Sequence, residues 1–438
     1  MTQAKRMFAV LWLGQFAATA GLTVVVPLLP FYLADLGTPS GDIALWTGIS
    51  LAAPAVTQML TGPLWGAVGD RYGRKAMVVR AHAGLAISLV LMAMATTPAA
   101  FVAFRLLQGA CGGVVSATAA FAGTLATGHR RGRALGGLFG ATAAGALLGP
   151  LAGGVLAGTW GFGPIFVTVA ALLVCSSVAA AWLLIEPEPT PEPTPESDPE
   201  RESGAGYTAT GSQGGASLRP APLRAAPLRE AAGILVGRAD TRNVLLAGLA
   251  GQAAIYALVV VFAPQVQRIT GSMADAAVWV GMLQATTWAA SWAGGPWWGR
   301  YNDRASAQRG FAIAAACCAI ATALQVVVTS VELLIPLRLV QGFCFAAFLQ
   351  SVLHVASGRV RQRLSGTAFG FSTGVLDLGQ VVGPLFGAAI AVTLPPVGAF
   401  GVIGVVLGIA ALLAVRSAVQ QGGHDPTPVA PEPRSAHV

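Results

Sequence analysis

The sequence predicts an all-α membrane protein: twelve transmembrane helices in two pseudo-symmetric six-helix bundles. Three observations predict this. First, only 10% of the 438 residues are charged and 55% are hydrophobic, whereas a soluble chain carries roughly 25% charged residues. Second, the apolar runs are about 20 residues long, the length a helix needs to cross hydrocarbon. Third, motifs in the first half of the chain return in the second at a nearly constant offset.

Taken in order, the runs fall near 8–32, 44–65, 76–96, 99–124, 134–157 and 163–185, then 244–264, 276–299, 310–330, 332–356, 365–392 and 396–416. The segment before the first run is short and polar, and the run is too long for a cleaved leader. Residues 1–185 and 243–416 are therefore the two bundles. Residues 186–242 open with EPEPTPEPTPE, turn Gly/Ser-rich and then repeat APLR. Proline and charge oppose helix and collapse, so a disordered cytoplasmic linker is expected there, and a disordered cytoplasmic tail over 417–438.

The net charge of +8 reflects membrane orientation, not nucleic-acid binding. Lys5, Arg6, Arg71, Arg74, Lys75, Arg80, Arg130, Arg131, Arg133, Arg300, Arg304, Arg309, Arg359, Arg361, Arg363 and Arg416 all fall on one side of the alternating loops. Basic loops stay inside, so both termini are expected in the cytoplasm of a multi-pass cell-membrane protein. The five cysteines, Cys111, Cys175, Cys317, Cys318 and Cys344, all lie in apolar runs. Neither a disulfide framework nor a metal site is expected. The chain has no G-x-x-x-x-G-K-[ST] phosphate loop and no Ser/His/Asp or zinc spacing. No cofactor and no enzymatic chemistry are expected, and an energy source in a gradient follows.

Three motifs carry the functional signal. The loop between the second and third runs reads GAVGDRYGRK, with Gly66, Asp70, Arg71, Gly73, Arg74 and Lys75. Its glycines allow a tight turn, and its bases also suit plain anchoring at the headgroups. The fourth run holds Arg105, Gln108 and Gly109. A charge in hydrocarbon costs roughly 2.5 kcal/mol or more near the centre, so Arg105 either snorkels or faces a polar cavity. The fifth run holds Gly136, Gly145, Gly149, Pro150, Gly153 and Gly154. Glycines so spaced let two helices touch backbone to backbone, and Pro150 removes a helical hydrogen bond. The repeat is visible in these motifs: Gly66 and Asp70 return as Gly299 and Asp303, and Arg105 and Gln108 as Arg338 and Gln341, each 233 positions on. Gly145, Gly149 and Pro150 return as Gly379, Gly383 and Pro384 after 234. Parallel repeats of this kind place a substrate site between the halves.

The loop motif and the fifth-run glycines together resemble the major facilitator superfamily, in its twelve-helix drug:proton antiporter branch, with multidrug exporters of the MdtG type most similar. The resemblance covers both bundles but not the long linker. It implies alternating access, proton coupling and export of small lipophilic compounds, by a protein that works as a monomer in lipid. In that family the loop acid, here Asp70, is thought to pair with nearby bases and the start of the eleventh helix. After Arg304 come Ala305 and Ser306, without the Gly73, Arg74 and Lys75 of the first copy, so the second latch is expected to be weaker. A polar-metabolite importer and a non-transporting scaffold acting through the linker are the alternatives.

Asp377, inside the eleventh run, is the acid placed deepest in a span. A carboxyl able to gain and lose a proton there suits coupling; a structural hydrogen bond to a neighbouring helix is the alternative. Arg105 and Arg338 are its candidate partners, and Asp35, at the outer end of the first run, is a second candidate acid. The pocket is expected to be mostly apolar with a few polar groups. Gln252 and Tyr256 in the seventh run, and Trp288 and Trp292 in the eighth, stand four apart and so share a helix face.

Overall fold

The computed structural model describes residues 3–125, 129–186, 225–360 and 365–422. Residues 187–224 of the expected linker, 423–438 of the tail, and Arg361 and Arg363 lie outside the described residues, as do the side chains of Asp70, Arg130, Arg131 and Arg133.

The described residues are helical, with no strand among them. Helix α1 (Gln3–Thr23) leads through a single 3-10 turn, Val26–Leu28, into α2 (Leu29–Asp35). Pro27 and Pro30, each at the first or second position of a segment, break the first span, because a proline cannot donate to the turn before it. Then come α3 (Ile43–Tyr72), α4 (Arg74–Ala93), α5 (Pro98–Ala110), α6 (Val114–Leu125), α7 (His129–Trp160) and α8 (Phe162–Leu183). The second half holds α9 (Ala225–Gly237), α10 (Ala239–Thr270), α11 (Met273–Arg304), α12 (Ala307–Leu324), α13 (Leu334–Ser357), α14 (Ser365–Thr393) and α15 (Pro396–Gly422). Eleven stretches among the described residues are long and apolar enough to cross a membrane. The twelfth crossing is α11, with 32 residues, whose Trp, Gly and Thr content lowers its apolarity.

Three expectations need correction. The fourth span is not continuous: α5 ends at Ala110 and α6 starts at Val114. Gly113 sits at φ +91°, which no helix accommodates and which side chains resist. The equivalent stretch of the second half, Cys344-Phe345-Ala346, lies in an unbroken α13. The last part of the expected linker is ordered as α9 and the start of α10, where Ala231 and Leu235 are fully buried and α9 packs on α14 and α10. Apolar residues after the second APLR supply a face to bury, which outweighs the proline content upstream. The expected tail likewise begins later, since α15 runs to Gly422. Asn243 donates to Gln420 at 3.1 Å, and the Ser417 hydroxyl donates to the Asp240 carbonyl at 2.6 Å.

Within the first bundle α1 packs on α7 and α8, α3 on α5, and α4 on α8. Within the second α10 packs on α14 and α15, α11 on α13, and α12 on α13 and α15. The bundles meet along two seams, α3 with α14 and α7 with α11. The pseudo-symmetry extends to single hydrogen bonds. The Trp65 indole donates to the Ala110 carbonyl at 2.6 Å, and the Trp298 indole, 233 positions on, donates to the Phe343 carbonyl at 2.8 Å. Long apolar side chains such as Trp182, 83% exposed, and Leu412, 64% exposed, point away from both bundles. In a lipid-bathed protein such a surface is the expected exterior.

Candidate functional site

The glycine motifs are where the helices come closest. A Cβ built on Gly145 would lie 2.7 Å from the Phe16 carbonyl oxygen, and one on Gly149 2.7 Å from that of Ala20. In the second half a Cβ on Gly383 would lie 2.9 Å from the Ala253 Cα, and one on Gly387 2.7 Å from the Ala257 carbonyl oxygen. So α7 lies against α1, and α14 against α10, with no room for a side chain between them. Gly153 continues the first contact toward the Val24 carbonyl, whereas Gly154 turns to α11 and meets Ala277 and Gly281. Gly136 meets nothing, so it lies outside the close-packed stripe.

The two seams between the bundles repeat this chemistry. The Pro384 carbonyl oxygen lies against Gly48 of α3, and the Pro150 carbonyl oxygen against Gly281 of α11. Gly48 and Gly281 are again 233 positions apart. Both contacts sit at the end of the molecule remote from the Gly66–Lys75 loop. At the loop end α3 and α14 are separated by a cavity of about 650 Å³, lined by α3, α4, α5, α6 and α14.

Several sequence-selected residues meet at that cavity. Gly66, Arg74, Gly109 and Asp377 line it, together with Gln58, Thr61, Trp65, Arg80, Ser116, Thr373 and Gln380. Asp377 is half-buried and accepts a hydrogen bond from Gln380 at 2.8 Å. Tyr256 of α10 does not line the cavity. Gln252 packs its Cβ toward Gly379, two residues along from Asp377. Arg80, half-buried, stacks on Trp65 with its guanidinium carbon 3.7 Å from the ring centroid. It donates to the Cys111 carbonyl at 3.2 Å and the Gly112 carbonyl at 3.0 Å, groups set free by the α5–α6 break.

The remaining candidates lie elsewhere. Arg105 is buried, donating to the Ser50 carbonyl at 3.0 Å and to Gln108 at 2.7 Å. Arg338 is buried too, donating to Gln341 at 3.2 Å with its guanidinium carbon 3.3 Å from the Phe262 ring centroid. Neither forms an ion pair with Asp377 among the described residues, so the expected arginine–carboxylate partnership is corrected: a carbonyl, glutamine side chains and a ring are their partners instead. Asp35 ends α2 and is exposed, away from the cavity. Trp288 and Trp292 are 40% and 69% exposed and do not line it.

The expected loop from Gly66 to Lys75 is corrected: it is helical except at Gly73, which links the end of α3 (Tyr72) to the start of α4 (Arg74) at φ +90°. The Glu186 carboxylate accepts from the backbone N–H of Arg74 and of Lys75, both at 2.8 Å. An acid at a helix N-terminus gains from the dipole and the unpaired donors. Arg74 also donates to the Ala120 carbonyl at 2.8 Å, and Arg71 lies over Tyr72. Sequence reasoning missed Glu186, which it assigned to the linker, and Asp240. The latter is 6% exposed at the start of α10 and pairs with Arg359 at 2.9 Å and Arg238 at 3.3 Å. An acid between two arginines just before an apolar run was the available signal.

The sequence model of the Major Facilitator Superfamily matches residues 11–284 and 245–437. The chain belongs to the Major Facilitator Superfamily. Among curated members it is 37% identical over 421 residues to the staphyloferrin B transporter of Staphylococcus aureus (strain NCTC 8325 / PS 47), covering 96% of this chain and 94% of the relative. It is 28% identical over 400 residues to the multidrug resistance protein MdtG of Salmonella paratyphi C (strain RKS4594), covering 88% and 89%. Among solved members of the superfamily, a bacterial homologue of the lysosomal transporter Spinster, captured inward-facing and unoccupied, superposes with a TM-score of 0.74. That pair shares 16% identity and covers 98% and 100% of the two chains. The nucleoside transporter NupG superposes with a TM-score of 0.71 at 13% identity, covering 96% and 99%. This superfamily member is thus a multi-pass membrane transporter of the two-bundle fold.

Proposed function

We propose that the protein is a proton-coupled antiporter that exports a small, largely apolar organic molecule across the cytoplasmic membrane by alternating access. The carrying observation is the cavity between α3 and α14: it holds a carboxyl, Asp377, and it lies on the seam where the two bundles must part or close. The basic loops put that end in the cytoplasm, so the cavity would load from inside. Asp377 would carry the proton, with Gln380 beside it. The loop from Gly66 to Lys75 would steady the opposite state, and Arg105 and Arg338 would fix helices rather than relay protons.

The relatives support carriage of small organic solutes and suggest two substrates to try first, staphyloferrin B and drug compounds. The test is flux in proteoliposomes holding the purified full chain. One proton moving through about 100 mV supplies about 2.3 kcal/mol, enough for roughly a fifty-fold substrate gradient. An imposed pH difference should drive solute against the proton flow, and an uncoupler should abolish it. Flux of either substrate that ignores the pH difference overturns the proposal.

A further inference from the structure

Arg80 brings a charge into the cavity that no acid among the described side chains pairs with. Its stack on Trp65 and its bonds to the Cys111 and Gly112 carbonyls fix the guanidinium plane without neutralising it. Its Nε–H is buried and has no partner. No described carboxylate lies within ion-pair distance of it. Arg74 adds a second cation to the same lining, while Asp377 on α14 is the one acid among the described lining residues. A guanidinium held in place by neutral groups, facing an open space, is the arrangement that receives a planar oxyanion. Nothing in the repeat requires it: the position 233 residues on is Ile313, an exposed apolar residue of α12. The charge therefore belongs to the cavity and not to the scaffold shared by the two bundles.

We propose that the α4 wall of the cavity is an anion subsite, and that the transported molecule carries a carboxylate or similar oxyanion. The oxyanion pairs with Arg80, the apolar part of the molecule lies along Trp65 and Met59, and Asp377 on the facing wall stays free to take up a proton. A cationic solute would instead meet two arginines. This deepens the export proposal and rests on it, but its test needs no gradient.

The test uses the full chain in lipid nanodiscs and two probes that share a ring and differ in charge, 1-naphthylacetate and 1-naphthylmethylammonium. The wild type should bind the acid about tenfold or more tightly than the amine, as one charge-assisted bidentate contact supplies. Arg80→Gln, which removes the charge and keeps a polar amide, should erase the preference and leave amine binding in place. Arg80→Lys should keep a reduced preference for the acid, and it decides the matter if the glutamine variant does not fold. Equal affinities in the wild type, an acid preference that survives Arg80→Gln, or an amine preference in Arg80→Lys each overturn the subsite. A chain that prefers the acid yet ignores an imposed pH difference refutes proton coupling alone. A chain driven by the pH difference that prefers the amine refutes the anion subsite alone.

Discussion

A buried guanidinium needs partners for its donors wherever it sits, and the three arginines inside this fold find most of theirs differently. Arg105 and Arg338 each use the glutamine one turn along, Gln108 and Gln341, and sit 6% and 3% exposed. Arg80 uses two main-chain carbonyls and a ring, and remains open to the cavity. Burial separates scaffold from site here, where the type of residue does not. Asp377 likewise has a neutral partner, Gln380, so its charge state is free to change. Asp377→Asn keeps a hydrogen-bonding side chain of the same size and removes the titrating group. In proteoliposomes the substrate ratio sustained by about 100 mV of proton driving force should fall from as much as fifty-fold to about one. Exchange of labelled for unlabelled substrate, which moves no net charge, should continue. A full gradient in the variant would assign Asp377 to packing. From sequence, the depth of Asp377 was legible, because it stands alone in an apolar run. The roles of Arg105 and Arg338 were not, because a partner one helical turn away and a partner across the bundle leave the same trace in the sequence.

Among the elements, the break between α5 and α6 shapes the site most. It frees the carbonyls of Cys111 and Gly112, and those carbonyls orient Arg80. Gly113 makes the break at φ +91°, a conformation that costs a side-chain-bearing residue roughly 1–2 kcal/mol. Gly113→Ala should therefore lower stability by about that much, read as a lower unfolding midpoint of the full chain in nanodiscs. It should also weaken naphthylacetate binding more than naphthylmethylammonium binding, since the carbonyls that aim Arg80 would shift. An unchanged midpoint and unchanged binding would mean that the break tolerates a side chain. Eleven of the spans were readable from length and apolarity, and the repeat from motif offsets. The break was hidden because residues 99–124 have the length and apolarity of one span, and paired glycines are common where membrane helices touch. Helix α9 was hidden for the opposite reason: proline and charge dominate the preceding residues, while Ala231 and Leu235 gain their burial from α10 and α14, which no local pattern reports.

At the scale of the molecule, two bundles touch through backbone at one end and stand apart at the other. At the closed end the Pro384 carbonyl meets Gly48 and the Pro150 carbonyl meets Gly281, a pair of contacts related by the repeat. At the open end Gly62 and Gly370 both line the cavity, and a Cβ on either would meet nothing within 4 Å. Rigid rocking about the closed seams would bring α3 and α14 together at the loop end, so the separation of Gly62 and Gly370 reports the state. In a full chain with Cys111, Cys175, Cys317, Cys318 and Cys344 replaced, the pair Gly62→Cys and Gly370→Cys should cross-link slowly with a short bifunctional thiol reagent at rest. An imposed pH difference with substrate present should cycle the protein and speed the reaction several-fold. Once formed, the cross-link should stop flux, because a bridge across the cavity denies the solute its entry, and reduction of a cleavable bridge should restore it. A rate of cross-linking that is the same at rest and under turnover would mean that the two bundles do not exchange open ends, and the alternating-access proposal would fall with it.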